Sequence, residues 1–283
     1  MVDYPVVLAI LSGVVFGCER LWPRVSGQKA IRPHLVSDLA HLVFNGHFLG
    51  VILYTWASRW VAPGFDRGLR QLEWYEAVYR NAAADWPLWV QIPVVLVVAD
   101  AMQWGIHRLL HAVPWLWELH KVHHSVPEGE MDFWVSFRFH WGEVVVYRVL
   151  QFLPLAWFGF AVEAMWVQAV VGTLVGHLNH SNLDLGYGPW RYVLNSPRMH
   201  LWHHDRERGA NAVNFGIVFS AWDWLFGTAY VPEHPPRRLG FQGDEEFPRT
   251  FFAQEAWPLG RVIPARWAAG MAVVGIAAAW WLH

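Results

Sequence analysis

The chain has 283 residues, 21 of them tryptophan; 55% are hydrophobic, only 16% are charged, and the formal charge is −2. A mean hydropathy of +0.20, with the apolar residues in blocks, fits a membrane protein better than a soluble enzyme, and the missing basic excess argues against a nucleic-acid surface. Cys18 is the only cysteine, which excludes an internal disulfide and thiolate metal clusters, so any metal must rest on histidine and carboxylate.

A bilayer core asks for about 20 mostly apolar residues per helix, with ~17 a practical minimum. The first candidate is Tyr4 to Gly17, inside MVDYPVVLAILSGVVFG; it has no basic leader or A-x-A-like site and reads as a retained span or a buried membrane-edge helix rather than a cleaved signal peptide. A link with Arg20, Arg24, Lys29 and Arg32 follows, then a second span from Leu35 to Trp56. From Arg59 to Asp85 charges are mixed, and GLRQLEWYEAVYR suggests an interfacial helix. A third span runs from Pro87 to Ile106, Pro114 breaks the helix that follows, and a hairpin of Val144–Phe160 and Val162–Gly176 supplies the fourth and fifth. Asn179 to Arg266 is polar and Pro-rich, and Trp267–Leu282 is a last apolar stretch that spans or dips. The expectation is an all-α, multi-pass bundle of about four to six spans. It reads as one membrane domain over 1–283: N-terminal spans to 86, a histidine-rich core over 87–228 and a tail over 229–283. Arginine bias sets the histidine-bearing ends in the cytoplasm.

Histidines fall in four tight groups, HRLLH (His107, His111), HKVHH (His120, His123, His124), HLNH (His177, His180) and HLWHH (His200, His203, His204). Residues three or four apart share a helix face. A lone imidazole on an apolar helix is usually a packing residue, but four such groups at the same ends of membrane helices are not explained by packing. A single zinc takes three or four protein ligands, so this set reads as two metals. Thiolate-free imidazole coordination with open positions suits iron that must bind O₂, whereas haem needs only paired axial ligands. His41 and His47, six apart, share no face and read as packing residues.

The pattern HxxxH, eight residues, HxxHH and a distant HxxHH resembles the fatty acid hydroxylase and sterol desaturase superfamily, membrane enzymes with a non-haem di-iron site. The likeness runs from Asp100 to Thr228. It includes the Asp100…His107–Arg108 lead-in, LWELHKVHHS, Arg138-x-His140 with Glu143, His177-x-Asn179, and Pro197 with its following histidines; NFG at Asn214–Gly216 and WDWLFGT at Trp222–Thr228 complete it. Three positions depart from the pattern: Trp141 stands for a proline, Trp104 for a tyrosine and Phe215 for the tyrosine of N-Y-G.

By this resemblance the ligand set is His107, His111, His120, His123, His124, His177, His200, His203 and His204, with His180 as a tenth candidate from its spacing to His177. His140 and Glu143 belong to the site by resemblance, against the alternative of an ion pair with Arg138 or Arg148. Asp100, two helical turns before His107, is expected behind a ligating imidazole, accepting its second N–H. Asp205, Asp223 and Asn214 read as similar candidates or as turn residues.

The implied activity is hydroxylation or desaturation of an unactivated C–H bond in a lipid, such as a fatty acyl chain or sterol, with O₂ and two iron ions, zinc being a substitute in purified protein. The chain has no G-x-G-x-x-G fingerprint and no cysteines for an iron–sulfur cluster. A separate electron donor of cytochrome b5, ferredoxin or reductase type is therefore implied. The setting is a cell inner membrane if bacterial, or the endoplasmic reticulum if eukaryotic. A membrane zinc hydrolase or isomerase, or a non-catalytic metal-binding protein, would use the same histidines.

Overall fold

Prolines mark four of the helix starts. The structure, a computed structural model, describes residues 3–257 apart from Pro33; Trp267–Leu282 and the His47 side chain lie outside that description. Within it the chain is all helix, with isolated β-bridges and no sheet. Helix α1 (Tyr4–Leu21) has Pro5 in its first turn, where the missing N–H would have no partner anyway. Helix α2 (Leu35–Gln71) widens into π turns at Phe44–Phe48 and Ala57–Val61. The second π turn lies just before Pro63 and gives its ring room. Helix α3 (Leu88–Ala112) follows Pro87.

These three are the helices, among the described residues, that are long and apolar enough to cross a membrane. Two sequence expectations change here. The second span does not stop at Trp56, because the helix continues through the mixed-charge segment to Gln71. The predicted fourth and fifth spans do form helices, but too polar or too short to count. One is α5, running through Trp141–Tyr147, a π turn Arg148–Phe152 and Leu153–Trp157; the other is α6 (Val162–Asn179). Glu143, Arg148 and Gln151 interrupt α5, and Glu163, Gln168 and Asn179 interrupt α6. They do make the expected hairpin. Its turn needs Gly159 (φ +87°), where a Cβ would meet the Asn81 backbone at 2.7 Å.

Small residues let α3, α5 and α6 approach closely: Ala99 and Ala164 pack with Val95, Leu155 and Phe160. The π turn in α5 brings buried Gln151 to donate to the Ala99 carbonyl at 2.8 Å. At the end of α3, Pro114 forces Val113 into an extended conformation (φ −97°, ψ 116°). That single residue separates α3 from α4 (Pro114–His124). Ile106, Leu110, Leu116 and Leu119 fill the inside of the elbow, each worth roughly 1.5–3 kcal/mol when fully buried. The elbow turns the α3 histidines toward those of α4. Helix α7 (Pro197–His203) brings the last group, with Ser196 as its N-cap accepting from Met199 N–H. The short helices α8 (Ala221–Leu225) and α9 (Phe251–Ala256) close the described chain.

Candidate metal centre

Nine histidines from α3, α4, α7 and the end of α6 form two buried sets. His107, His111, His120, His124 and His203 make the first, and His123, His180, His200 and His204 the second; within each set the candidate ligand atoms lie within 4.8 Å of one another. His123 and His124 are adjacent in sequence and point into different sets, as do His203 and His204. Each HH pair thus links the two sets.

Six of the nine rings are fixed through Nδ1. His107 donates to Phe215 O at 2.8 Å, His111 to Ala210 O at 3.2 Å and His203 to Val213 O at 2.9 Å. His123 donates to Arg138 O at 3.3 Å and His180 to Gly176 O at 2.7 Å. His120 Nδ1 meets Glu143 Oε1 at 2.9 Å. A carbonyl only accepts, so the five carbonyl-bound rings carry their proton on Nδ1 and present a bare lone pair at Nε2, and His120 joins them by donating its Nδ1–H to the Glu143 carboxylate. Those lone pairs face one another. His107 Nε2 lies 3.1 Å from His120 Nε2, and His123 Nε2 3.1 Å from His180 Nε2. Two acceptors at that distance repel unless a cation lies between them; two nitrogens at right angles around an ion ~2.1 Å away are about 3 Å apart. His111 Nε2 is buried with no hydrogen-bond partner. The donor set therefore fits two imidazole-bound metal ions.

Charge state agrees with this. Burial, helped by neighbouring imidazoles, holds His120, His123, His124, His200, His203 and His204 well below the usual imidazole range. Burial above all brings His180 down to about 3. Neutral rings are the ligating form. The Phe215 ring stands edge-on to His107, His111 and His203, at 5.7, 5.3 and 5.6 Å between centroids, and walls the first set with an apolar face.

Three residues named from sequence are placed elsewhere, and His180, the tenth candidate, is in a set. His177 joins neither set: its Nε2 is 3.1 Å from Ser12 Oγ and its Nδ1 2.9 Å from Ser136 Oγ, so it ties α6 to α1. His180 stands where His177 was expected, because α6 ends at Asn179 and the capping residue (φ −92°, ψ 2°) swings its ring off the helix. Asp100 touches no histidine; it accepts from Val218 N, Phe219 N and Trp222 Nε1 at 2.9–3.0 Å. His140 is an N-cap: Nδ1 accepts from Gly142 N–H at 3.0 Å and Nε2 donates to Glu255 O at 2.7 Å. Of His140, Glu143 and Asp100, only Glu143 contacts a set member, and it pairs with neither Arg138 nor Arg148 but with His120.

Sequence reasoning missed the carbonyl acceptors and most of what holds them. Asp223 accepts from Phe215 N, Gly216 N and Thr228 Oγ1 at 2.9, 2.8 and 2.6 Å, fixing the loop whose carbonyl orients His107. Trp104 Nε1 donates to the same carboxylate at 3.1 Å. Asn214 sits in the left-handed region (φ 56°), which asparagine tolerates, and binds Met199 O and Tyr230 O. Arg138, whose carbonyl orients His123, is anchored by Asp38 at 2.5 Å and Gln254 at 3.0 Å.

Similarity to known proteins follows the same residues. The fatty acid hydroxylase family model matches residues 92–228, a stretch that holds all nine clustered imidazoles. Ornithine lipid hydroxylase OlsE of Rhizobium tropici is 33% identical over 180 residues, covering 62% of this chain and 52% of that protein. Methylsterol monooxygenase 1-1 of Arabidopsis thaliana is 25% identical over 142 residues, covering 49% and 46%. Over this stretch the chain is similar to members of the fatty acid hydroxylase and sterol desaturase superfamily. Another similar protein is cholesterol 25-hydroxylase of Mus musculus, 29% identical over 150 residues, 50% and 48% covered. The chain spans about half the length of these curated relatives. No solved structure matches it.

Proposed function

We propose that the protein is a membrane-bound di-iron oxygenase that hydroxylates a lipid at an unactivated C–H bond. The observation that carries the proposal is the pair of buried, convergent imidazole sets. His107, His111, His120, His124 and His203 would hold one iron, and His123, His180, His200 and His204 the other. The bound pair would supply the oxidising power, drawn from O₂ and two electrons from a separate donor, for C–H oxidation.

The chain's own residues prepare that centre. Glu143 accepts a buried hydrogen bond from the Nδ1–H of His120 and makes the ring a stronger donor through Nε2. Carbonyls of Phe215, Ala210, Val213, Arg138 and Gly176 hold five more rings in the ligating tautomer. Phe215 and Trp117 keep water from the first set, Trp117 packing on His111 and His124 at 4.9 and 5.1 Å. The names of the relatives favour hydroxylation over desaturation, and an orientation with the histidines in the cytoplasm follows arginine bias. Lipids extracted from cells grown under isotopically heavy O₂, with the protein or its His123→Ala variant, test this. One lipid should carry the heavy oxygen only with the intact protein. Unlabelled lipids, or purified protein that keeps zinc and acts without O₂, would refute it.

A further inference from the structure

The segment after α6 reads in sequence as polar and outside the membrane, yet its outer face is apolar. Trp190 is 66% exposed, Leu225 70% and Phe226 55%, with Tyr192, Val193 and Trp224 also exposed between them. A contiguous apolar face of that kind normally has a partner.

Its depth follows from α3. That helix has 25 residues, so at 1.5 Å each it is about 37 Å long, more than the ~30 Å hydrocarbon core. Exposed Trp86 and Trp89 mark one boundary. About 20 residues on, the helix reaches Arg108, which is exposed and lies over the Trp104 ring at 5.0 Å, as a cation reaching for headgroups would. Phe226 stacks on Trp104 with centroids 4.6 Å apart, one turn inside that boundary. Val218, Phe219 and Trp222 bind Asp100, two turns inside. Leu194 bridges to Phe219 and so brings Val193 to the same level. Irregular backbone at such depth must be satisfied within the protein. It is: Phe226 N donates to Trp222 O, Trp224 N to Ser220 O, Thr228 N to Asp223 O and Trp224 Nε1 to Arg191 O.

We propose that the face formed by Trp190, Tyr192, Val193, Trp224, Leu225 and Phe226 is embedded in the bilayer alongside α3, as a re-entrant platform. The partner is lipid, because the face continues the apolar surface of a spanning helix without a break in depth. Asp223, inside the platform, holds Phe215 against His107, His111 and His203. The platform thus joins the bilayer to the wall of the first histidine set.

Site-directed spin labelling tests this on the full chain in lipid nanodiscs, with Cys18 replaced by alanine. Labels at Leu225→Cys and Val193→Cys are compared with Val97→Cys, on the exposed side of α3, and Arg237→Cys, on an exposed polar loop. The expected result is that collision with O₂ exceeds collision with chromium oxalate at both platform sites, as at Val97 and the reverse of Arg237. Platform labels that behave like Arg237 would overturn the proposal and point to a water-exposed docking face for a protein. Label depth is read without turnover, so it stands or falls separately from the reaction.

Discussion

Replacing Glu143 isolates the one carboxylate that, among the described residues, contacts the candidate metal centre. Its Oε1 lies 2.9 Å from His120 Nδ1, and both side chains are 1% exposed or less. In Glu143→Ala the His120 N–H loses its acceptor where water does not reach, a penalty of about 1–3 kcal/mol. The ring is also freed to rotate or to move its proton to Nε2, which would cancel its lone pair. Carboxylate partners of ligating histidines are typically worth 10–100-fold in metal affinity or activity. Glu143→Gln keeps an acceptor oxygen and loses the charge, so it should weaken iron binding about 10-fold, and Glu143→Ala about 100-fold. Competition against a graded series of chelators, read by metal analysis of detergent-purified protein, measures both. Equal iron retention in wild type, Glu143→Gln and Glu143→Ala would refute the role given to this carboxylate.

Other predictions follow from residues the structure moved. Asp100→Asn sets an amide N–H against backbone donors and should cost about 2–4 kcal/mol of stability, yet leave the iron content intact, because Asp100 holds the 218–222 loop and not a ligand; thermal unfolding with metal analysis checks both. Trp141→Pro restores the residue usual in the family pattern but removes the N–H that donates to Glu255 Oε2 at 2.8 Å. It should lower stability by about 1–3 kcal/mol without loss of metal, since proline suits the first turn of α5. The metal-free protein should weaken in acid. His120, His123, His124, His180, His200, His203 and His204 have folded pKa values below the unfolded value. The unfolded chain therefore binds more protons as pH falls below about 6.5, and stability drops progressively from there. Unfolding midpoints of apo-protein between neutral pH and pH 5 that do not fall would contradict the buried, neutral state of these rings.

Much of the centre was legible because imidazole spacing on a helix translates directly into direction. His107 with His111, and the two HxxHH groups, needed only helical periodicity and Pro114 to be placed. His177 and His180 show where that logic fails. Spacing puts both on one face, but α6 ends between them, and a helix end is set by local backbone conformation rather than by period. Asp100 fails for a related reason: its distance from His107 along α3 is correct, but a loop more than a hundred residues downstream reaches it first. Span limits were misjudged in α2 because a helix continues past its apolar run when a polar face still finds solvent, and in α5 and α6 because hydropathy windows passed over buried polar residues such as Gln151 and Gln168. The carbonyls that fix five of the Nδ1 atoms carry no side-chain signature at all.

Two imidazole-bound irons, one in each histidine set, should show in the iron-to-chain ratio of protein purified without chelators. The wild type and His177→Ala should each hold two irons per chain, and His180→Ala should fall toward one. One iron in the wild type, or loss of iron in His177→Ala with retention in His180→Ala, would contradict the two-iron centre.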